Sequence, residues 1–375
     1  MSLPRIDPTQ YEQQLSEKKA FIERRFAEFE PPALEVFSSP ATYYRMRAEF
    51  RVWHDGDDLF FAMYDADPDN PGEKKIVRMD QYPAASRRIN ELMVSLREAL
   101  MVSDVLRHRL FQVEFLTTLS GEALVTLIYH RKVDEAWAEE ARALEARLDV
   151  AIIGRARKQR WVLTRDFVTE HLQVDGHTLH YQQVENSFTQ PNASICADML
   201  AWARDATTPS ARGVASVDAG GDLVELYCGN GNFTIALASN FRRVLGTEIS
   251  RTSVASAQVN LAANHVDNAV IARMSSEEFS QALAGEKTGR RVSDMALDGY
   301  DFSTVLVDPP RAGLDEKSCE EIARYQRIVY ISCNPDTLAD NLKQLCRTHT
   351  IERMALFDQF PYTHHCECGV VLVGR

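Results

Sequence analysis

Residues 222–234 read DLVELYCGNGNFT. An apolar, strand-like run stops at Gly229 and Gly231, and a helix-length segment follows. Strand, glycine turn and helix in that order form the opening unit of a doubly wound α/β domain. Glycines in such a turn take positive φ and let backbone amides approach a ligand closely. A lone G-x-G turn is also a common structural turn, so its neighbours must decide.

Downstream, six further strand-like runs follow: RVLGTEI, AVIARM, STVLVDPP, RIVYISC, RMALFDQF and CGVVLVGR, separated mostly by helix-length segments. The second strand ends in Glu248, where an acidic side chain can accept from both hydroxyls of a ribose. The third glycine of the dinucleotide pattern is missing, since Phe233 and Thr234 follow Asn232. Without a diphosphate cradle, a nucleoside cofactor such as S-adenosylmethionine fits better than NAD. The polar segment at about 282 to 300 reads as one long connection.

The fourth strand ends at Asp308-Pro309-Pro310-Arg311. Two prolines end both ladder and helix, which fixes a rigid loop at the edge where doubly wound folds bind ligands. Cys333 stands at the end of the fifth strand, before Asn334-Pro335. Cysteine is often a small buried residue, but at a ligand edge a thiolate has a use. In S-adenosylmethionine-dependent folds of this class the last strand runs antiparallel beside the fifth, which would make Glu367 a neighbour of Cys333. Cys366 and Cys368 are too few ligands for a zinc site, and His364 and His365 read as loop residues.

A thiol and an acid at one edge suit a particular chemistry. Carbon 5 of uracil is a poor nucleophile; a thiolate adding to carbon 6 makes it an enolate carbon that accepts a methyl group. A base must then remove the carbon 5 proton. Cys333 suits the first role and Glu367 the second. A base within folded RNA must first be turned out of its stack.

Upstream, the pattern is different. Asp7 and Pro8 start an amphipathic helix with Tyr11, Leu15, Ile22, Phe26 and Phe29 on one side. From Tyr43 to Trp53 residues alternate, with Met46, Ala48, Phe50 and Val52 inward and Arg45, Arg47, Glu49, Arg51 and Trp53 outward. HDGDD at 54–58 is a hairpin turn, and a helix at about 85–100 carries Ile89, Leu92, Leu96 and Leu100. LFQVEFLTT folds onto ALVTLIYH across Ser120-Gly121, before a helix with Trp137, Ala141, Leu144 and Leu148. These features predict an α+β RNA-binding domain over 1–184 and a catalytic domain over 185–375. Arg45, Arg47, Arg51 and Trp53, and the basic run Arg155, Arg157, Lys158 and Arg160, are candidate RNA contacts or simply solvated faces.

The formal charge of −12 confines nucleic-acid binding to local patches. Seven cysteines without regular spacing argue for a reducing compartment. The opening has no apolar core of signal-peptide type, and no stretch reaches the roughly 18 apolar residues of a membrane span. The expectation is a soluble, cytoplasmic protein.

ENSFTQPN at 185–192, ELYCGNGNFT, VDPPRAGLD, YISCNP and HHCECG resemble the RNA 5-methyluridine methyltransferases. YYRMRAEFRVWHDGDDL and LFDQFPYTHH extend the resemblance to the bacterial tRNA branch over nearly the whole chain. The resemblance implies a Rossmann-like, seven-stranded methyltransferase domain whose last strand is antiparallel. It implies Cys333 as nucleophile, Glu367 as proton acceptor, and Gln190, Tyr227, Asn232, Glu248 and Asp308 around cofactor and target. Gln190 comes from the resemblance alone.

Implied too are S-adenosyl-L-methionine as methyl donor and the tRNA T-arm as partner, with the T-like loop of transfer-messenger RNA as a further substrate. No metal, membrane or obligate protein partner is expected. Relatives acting on ribosomal RNA carry an N-terminal β-barrel and iron–sulfur cysteines; here the first cysteine is Cys196, so no such cluster is expected. A cytosine-5 or amino methyltransferase, or a module that mainly refolds RNA, are the competing readings.

Overall fold

The computed structural model describes residues 3–67, 72–289, 292 and 295–375. They form two compact units built from interleaved segments.

The first unit comprises Pro40–His171, Gln183–Ala193 and the residues up to Pro8. To number the strands in chain order, β1 is Glu35–Phe37 of the second unit, and the first unit's sheet begins with β2, Arg47–Asp55. It continues with β3 (Asp58–Ala66), β4 (Lys74–Arg78), β5 (Leu110–Thr117), β6 (Ala123–Tyr129), β7 (Ala151–Ala156) and β8 (Gln159–Val162), in the order β4-β3-β2-β5-β6-β7-β8. All neighbours are antiparallel except β6 and β7. A parallel pair needs a crossover, and helix Glu135–Leu148 supplies it.

The alternation read from 46 to 53 holds: Met46, Ala48, Phe50 and Val52 are buried, while Glu49 and Trp53 are exposed. The predicted helix at 85–100 is Arg87–Val102, capped by Ser86, with Ile89, Leu92, Leu96 and Leu100 buried. The basic run at 154–160 is not a free stretch. It is the β7–β8 hairpin, with Arg157 and Lys158 at its tip.

The second unit comprises Thr9–Ser39, Leu172–Gln182 and Ser194–Arg375. Its sheet contains β11 (Asp222–Leu226), β12 (Val244–Glu248), β13 (Ala269–Arg273), β14 (Phe302–Val307), β15 (Arg327–Ser332), β16 (His349–Phe357) and β17 (Glu367–Gly374). With β1 the order is β1-β16-β17-β15-β14-β11-β12-β13. Strand β17 runs antiparallel between β15 and β16, and the other pairs are parallel. The seven expected strands are all present, and β1 adds an eighth that its three-residue length hid in the sequence.

Helix Tyr11–Phe26 packs here: Ile22 and Phe26 join Val305, Tyr330, Leu338 and Leu342 in one core. The expected division at 184/185 therefore does not coincide with the two units, since 9–39 and 172–182 count with the second and 183–193 with the first. The remaining pair, β9 (Phe167–Val174) and β10 (His177–Val184), is a hairpin whose residues divide between the units. Of the predicted 282–300 connection, residues 290, 291, 293 and 294 lie outside the described residues; Leu297–Gly299 is a short 3-10 turn.

Candidate active site

Strand register brings the candidates of the second unit to one edge of the sheet. Leu226 pairs with Thr247 on β12 and with Val307 on β14. The next residues along the parallel ladders are Tyr227, Glu248 and Asp308, side by side at the strand ends. Strand β15 lies next, with Tyr330 opposite Val307. On its other side Ser332 pairs with Cys368 in antiparallel register. Continuing that register by one rung sets Cys333 opposite Glu367. The expected meeting of thiol and acid thus follows from β17 being antiparallel.

The glycine turn is built as its sequence requires. Gly229 and Gly231 have φ of +56° and +83°, and Tyr227 also takes the left-handed region at +65°. A Cβ at Gly229 would meet nothing within 4 Å, so the turn leaves room for a ligand. Glu248 ties this turn to β12: its carboxylate accepts from Gly229 N–H at 3.1 Å and from Ser250 N–H at 2.6 Å. The hydroxyl of Tyr227 pairs with Ser276 at 2.9 Å, and the Asn232 amide donates to Cys196 Sγ at 3.4 Å. Space at the turn beside a half-buried carboxylate fits a nucleoside with free ribose hydroxyls.

Beneath the turn lies Glu225, fully buried, its carboxyl accepting from the Thr234 hydroxyl. Burial, with Asp308 and Glu248 nearby, pushes it up to about 8. The sequence offered Glu225 only as a strand residue; a carboxylate in an apolar run was the signal.

The thiol of Cys333 is half-buried, and burial first, then Glu367 and Asp308, push it up to about 11. Burial holds Glu367 well above the usual carboxylate range, with Asp308 adding to it, and burial raises Asp308 to about 7. Three acids in one apolar corner cannot all ionise without a compensating cation.

The Pro-Pro loop is fastened to the cysteine strand. Asn334 donates to Arg311 O at 3.1 Å. Asn341 accepts from Tyr330 Oη at 2.8 Å and from Leu314 N–H at 3.0 Å, and donates to Leu314 O at 2.8 Å. Nothing in the local sequence marks Asn341.

Gln190 belongs to the first unit. Its neighbour Pro191 accepts from Met46 N–H at 2.7 Å, and Arg47 donates to Ser187 O at 2.8 Å, so the ENSFTQPN segment is an ordered loop as expected. Phe188 on it is 71% exposed. Of the predicted basic candidates, Arg155 and Arg160 are committed to the buried Glu185, with Arg155 bidentate at 2.5 and 2.6 Å. Arg157 and Lys158 remain exposed. The Arg51 guanidinium stands 4.5 Å over the Phe111 ring, and the His130 ring lies against Phe111 with centroids 4.1 Å apart. Sequence reasoning missed Phe111 and His130, which the pairing of β2 with β5 brings to Arg51.

Among the described residues no three metal-capable side chains converge. Cys366 and Cys368 are buried, and His364 is exposed. No helix of the described residues is long and apolar enough to cross a membrane.

Comparison with known proteins supplies the family. A tRNA/tmRNA (uracil-C(5))-methyltransferase of Chromohalobacter salexigens is 66% identical over all of this chain and 98% of its own. The protein of the same name from Shewanella amazonensis is 56% identical over the whole of both chains. A crystal structure of Pyrococcus abyssi tRNA (uracil-54, C5)-methyltransferase with S-adenosyl-L-homocysteine shares the fold at a TM-score of 0.68. It is 22% identical, over 97% of this chain and 83% of that one. Residues 10–375 match the sequence pattern of one family from end to end, and the chain belongs to that family, the tRNA (uracil-5-)-methyltransferases.

Proposed function

We propose that this protein methylates carbon 5 of the T-loop uridine, position 54, of tRNA with S-adenosyl-L-methionine, giving ribothymidine. The carrying observation is the antiparallel β15–β17 register, which ends at Ser332 and Cys368 and so brings Cys333 beside Glu367 at the sheet edge that also presents Glu248 and Asp308. S-adenosylmethionine, when bound, supplies a methyl group on a sulfonium cation. Glu248 holds the ribose, while Tyr227, Asn232 and Asp308 complete the cofactor side. Gln190 is assigned to the same cofactor-binding group on the resemblance alone.

Cys333 thiolate adds to carbon 6, and the displaced π electrons form the enolate. Carbon 5 takes the methyl group as the methyl–sulfur bond breaks. The Glu367 carboxylate then removes the carbon 5 proton; the double bond re-forms and the thiolate leaves. Burial, with Asp308 adding to it, raises the proton affinity of Glu367, which suits it to take the carbon 5 proton.

Arg51, Phe111 and His130 form a stacked cationic surface on the first unit, and one terminal nitrogen of Arg51 is buried without a hydrogen-bond partner among the described residues. We assign RNA contact to this face on the Arg51 cation over the Phe111 ring together with the exposed Trp53. Arg155 and Arg160 are withdrawn from that role by their ion pairs. The T-like loop of transfer-messenger RNA presents the same target and is assigned as a second substrate. The setting is the cytoplasm, and no protein partner is required.

Incubation with S-adenosylmethionine and tRNA carrying 5-fluorouridine at position 54 tests this. Fluorine cannot leave as a proton, so a denaturant-stable adduct is expected, mapping to Cys333 and absent from Cys333→Ser. An unreactive protein that binds both cofactor and tRNA would remove the assignment.

A further inference from the structure

We infer that the N-terminal helix Tyr11–Phe26 serves the chemistry, with Lys18, supported by Gln14 and Tyr11, as a positioning residue for Glu367. The inference rests on Glu367 being the proton acceptor, and every group in it lies in the second unit.

The β16–β17 ladder ends at the pair Phe357 and Glu367, so residues 358–366 are the connecting loop. Glu367 is therefore held by the ladder on one side and by this loop on the other. Inside the loop, Thr363 N–H and hydroxyl both bond to Phe360 O, at 3.3 and 2.8 Å, and His365 N–H donates to the Thr363 hydroxyl at 3.2 Å. Tyr362 takes the left-handed region at φ +59°. These local turns shape the loop without fixing it to the body of the unit.

The helix does much of that fixing. Lys18 Nζ donates to Asp358 Oδ1 at 2.7 Å and to Phe360 O at 2.8 Å. Tyr11 hydroxyl and Gln14 amide donate to Asp358 Oδ2 at 2.9 and 2.8 Å. Gln14 Oε1 accepts from Tyr362 N–H at 3.2 Å. Lys18 and Asp358 are both buried, and Lys18 falls on the same side of the helix as Ile22 and Phe26. A buried ion pair is a weak source of stability compared with apolar packing. What it does give is one defined position for the loop that delivers Glu367. The field of Lys18 also reaches His365 and Cys366, the two residues before Glu367.

The test is a single turnover on natural tRNA, quenched in denaturant, with product and covalent protein–RNA adduct measured over time. In Lys18→Met the methylated adduct is expected to accumulate, because loss of the carbon 5 proton slows by about 100-fold, the effect of misplacing a reacting group by an ångström. S-adenosylmethionine affinity and adduct formation on 5-fluorouridine tRNA should stay near wild type.

A general loss of structure would lower adduct formation and product together, and that result would overturn the inference, as would wild-type adduct decay. Should Lys18→Met fail to fold with Asp358 unpaired, Gln14→Ala decides, since it keeps the ion pair. There adduct decay should slow by about tenfold, the equivalent of one lost hydrogen bond, and an unchanged rate overturns the proposal. If wild-type protein forms no 5-fluorouridine adduct, the underlying reading of Cys333 fails instead.

Discussion

Cys333, Glu367 and Asp308 retain protons to higher pH than the same groups in water, because burial disfavours each charge; Asp308 adds to this at Glu367, and both acids add to it at Cys333. A nucleophile must nonetheless be a thiolate. In cofactor-free protein, alkylation of Cys333 by iodoacetamide, followed by peptide mapping, should accelerate with pH toward about 11. A plateau already reached at pH 8 would mean that the resting thiol is activated by something other than ligand binding. A cation beside the cluster lowers all three pKa values, which ties activation of the nucleophile to the charge of the methyl donor. This is why a thiol that looks inert when resting still suits the reaction. The sequence singled out Cys333 and Glu367 as candidates, but their resting protonation depends on depth of burial, which a strand pattern does not convey.

The strand–turn–helix element 222–237 carries its own electrostatic signature. Glu225 lies under the glycine turn with a carboxyl raised to about 8, so the folded state binds a proton that the unfolded chain releases near the ordinary carboxylate pKa. Stability from this group is complete below the unfolded value and is lost as pH rises through about 8. Glu225→Gln keeps an acceptor for the Thr234 hydroxyl and removes the titration. Melting curves at pH 5.5 and 8.5 should therefore show a smaller fall for the variant than for the parent protein. Equal falls would mean that Glu225 is ionised throughout.

The glycine turn, the Pro-Pro loop and the two site residues were legible in these elements because each breaks a local pattern. Asn341 was not, because it sits in an ordinary amphipathic helix and acts on Leu314 and Tyr330 across a tertiary contact. Arg155 and Arg160 show the same limit: a basic run looks like a free patch until its hairpin turns two of its members onto Glu185.

At the scale of the molecule, the two units exchange chain segments. A cut at 184/185 would take helix Tyr11–Phe26 and β1 away from the second unit, and residues 185–193 away from the first. The piece 185–375 would expose the partners of Ile22 and Phe26 and leave Asp358 buried without Lys18. Breaking a buried pair costs about 3–5 kcal/mol, a large share of typical stability. We expect that piece to lack a cooperative thermal transition by circular dichroism, and to regain one when mixed with a separate peptide of residues 9–39. A cooperative melt of 185–375 alone would show that the helix is dispensable to the fold.

The sequence by itself determined the doubly wound class and the succession of seven strands, and it singled out Cys333 and Glu367 as candidate nucleophile and base. These follow from periodicity, breakers and residue chemistry, which act within about ten residues. Only the tertiary structure decided that the first helix belongs to the catalytic unit, that an eighth strand extends its sheet, and that Lys18 reaches Asp358. Each depends on surfaces meeting across hundreds of residues, where the free energy comes from burial and pairing, and no local pattern names the partner.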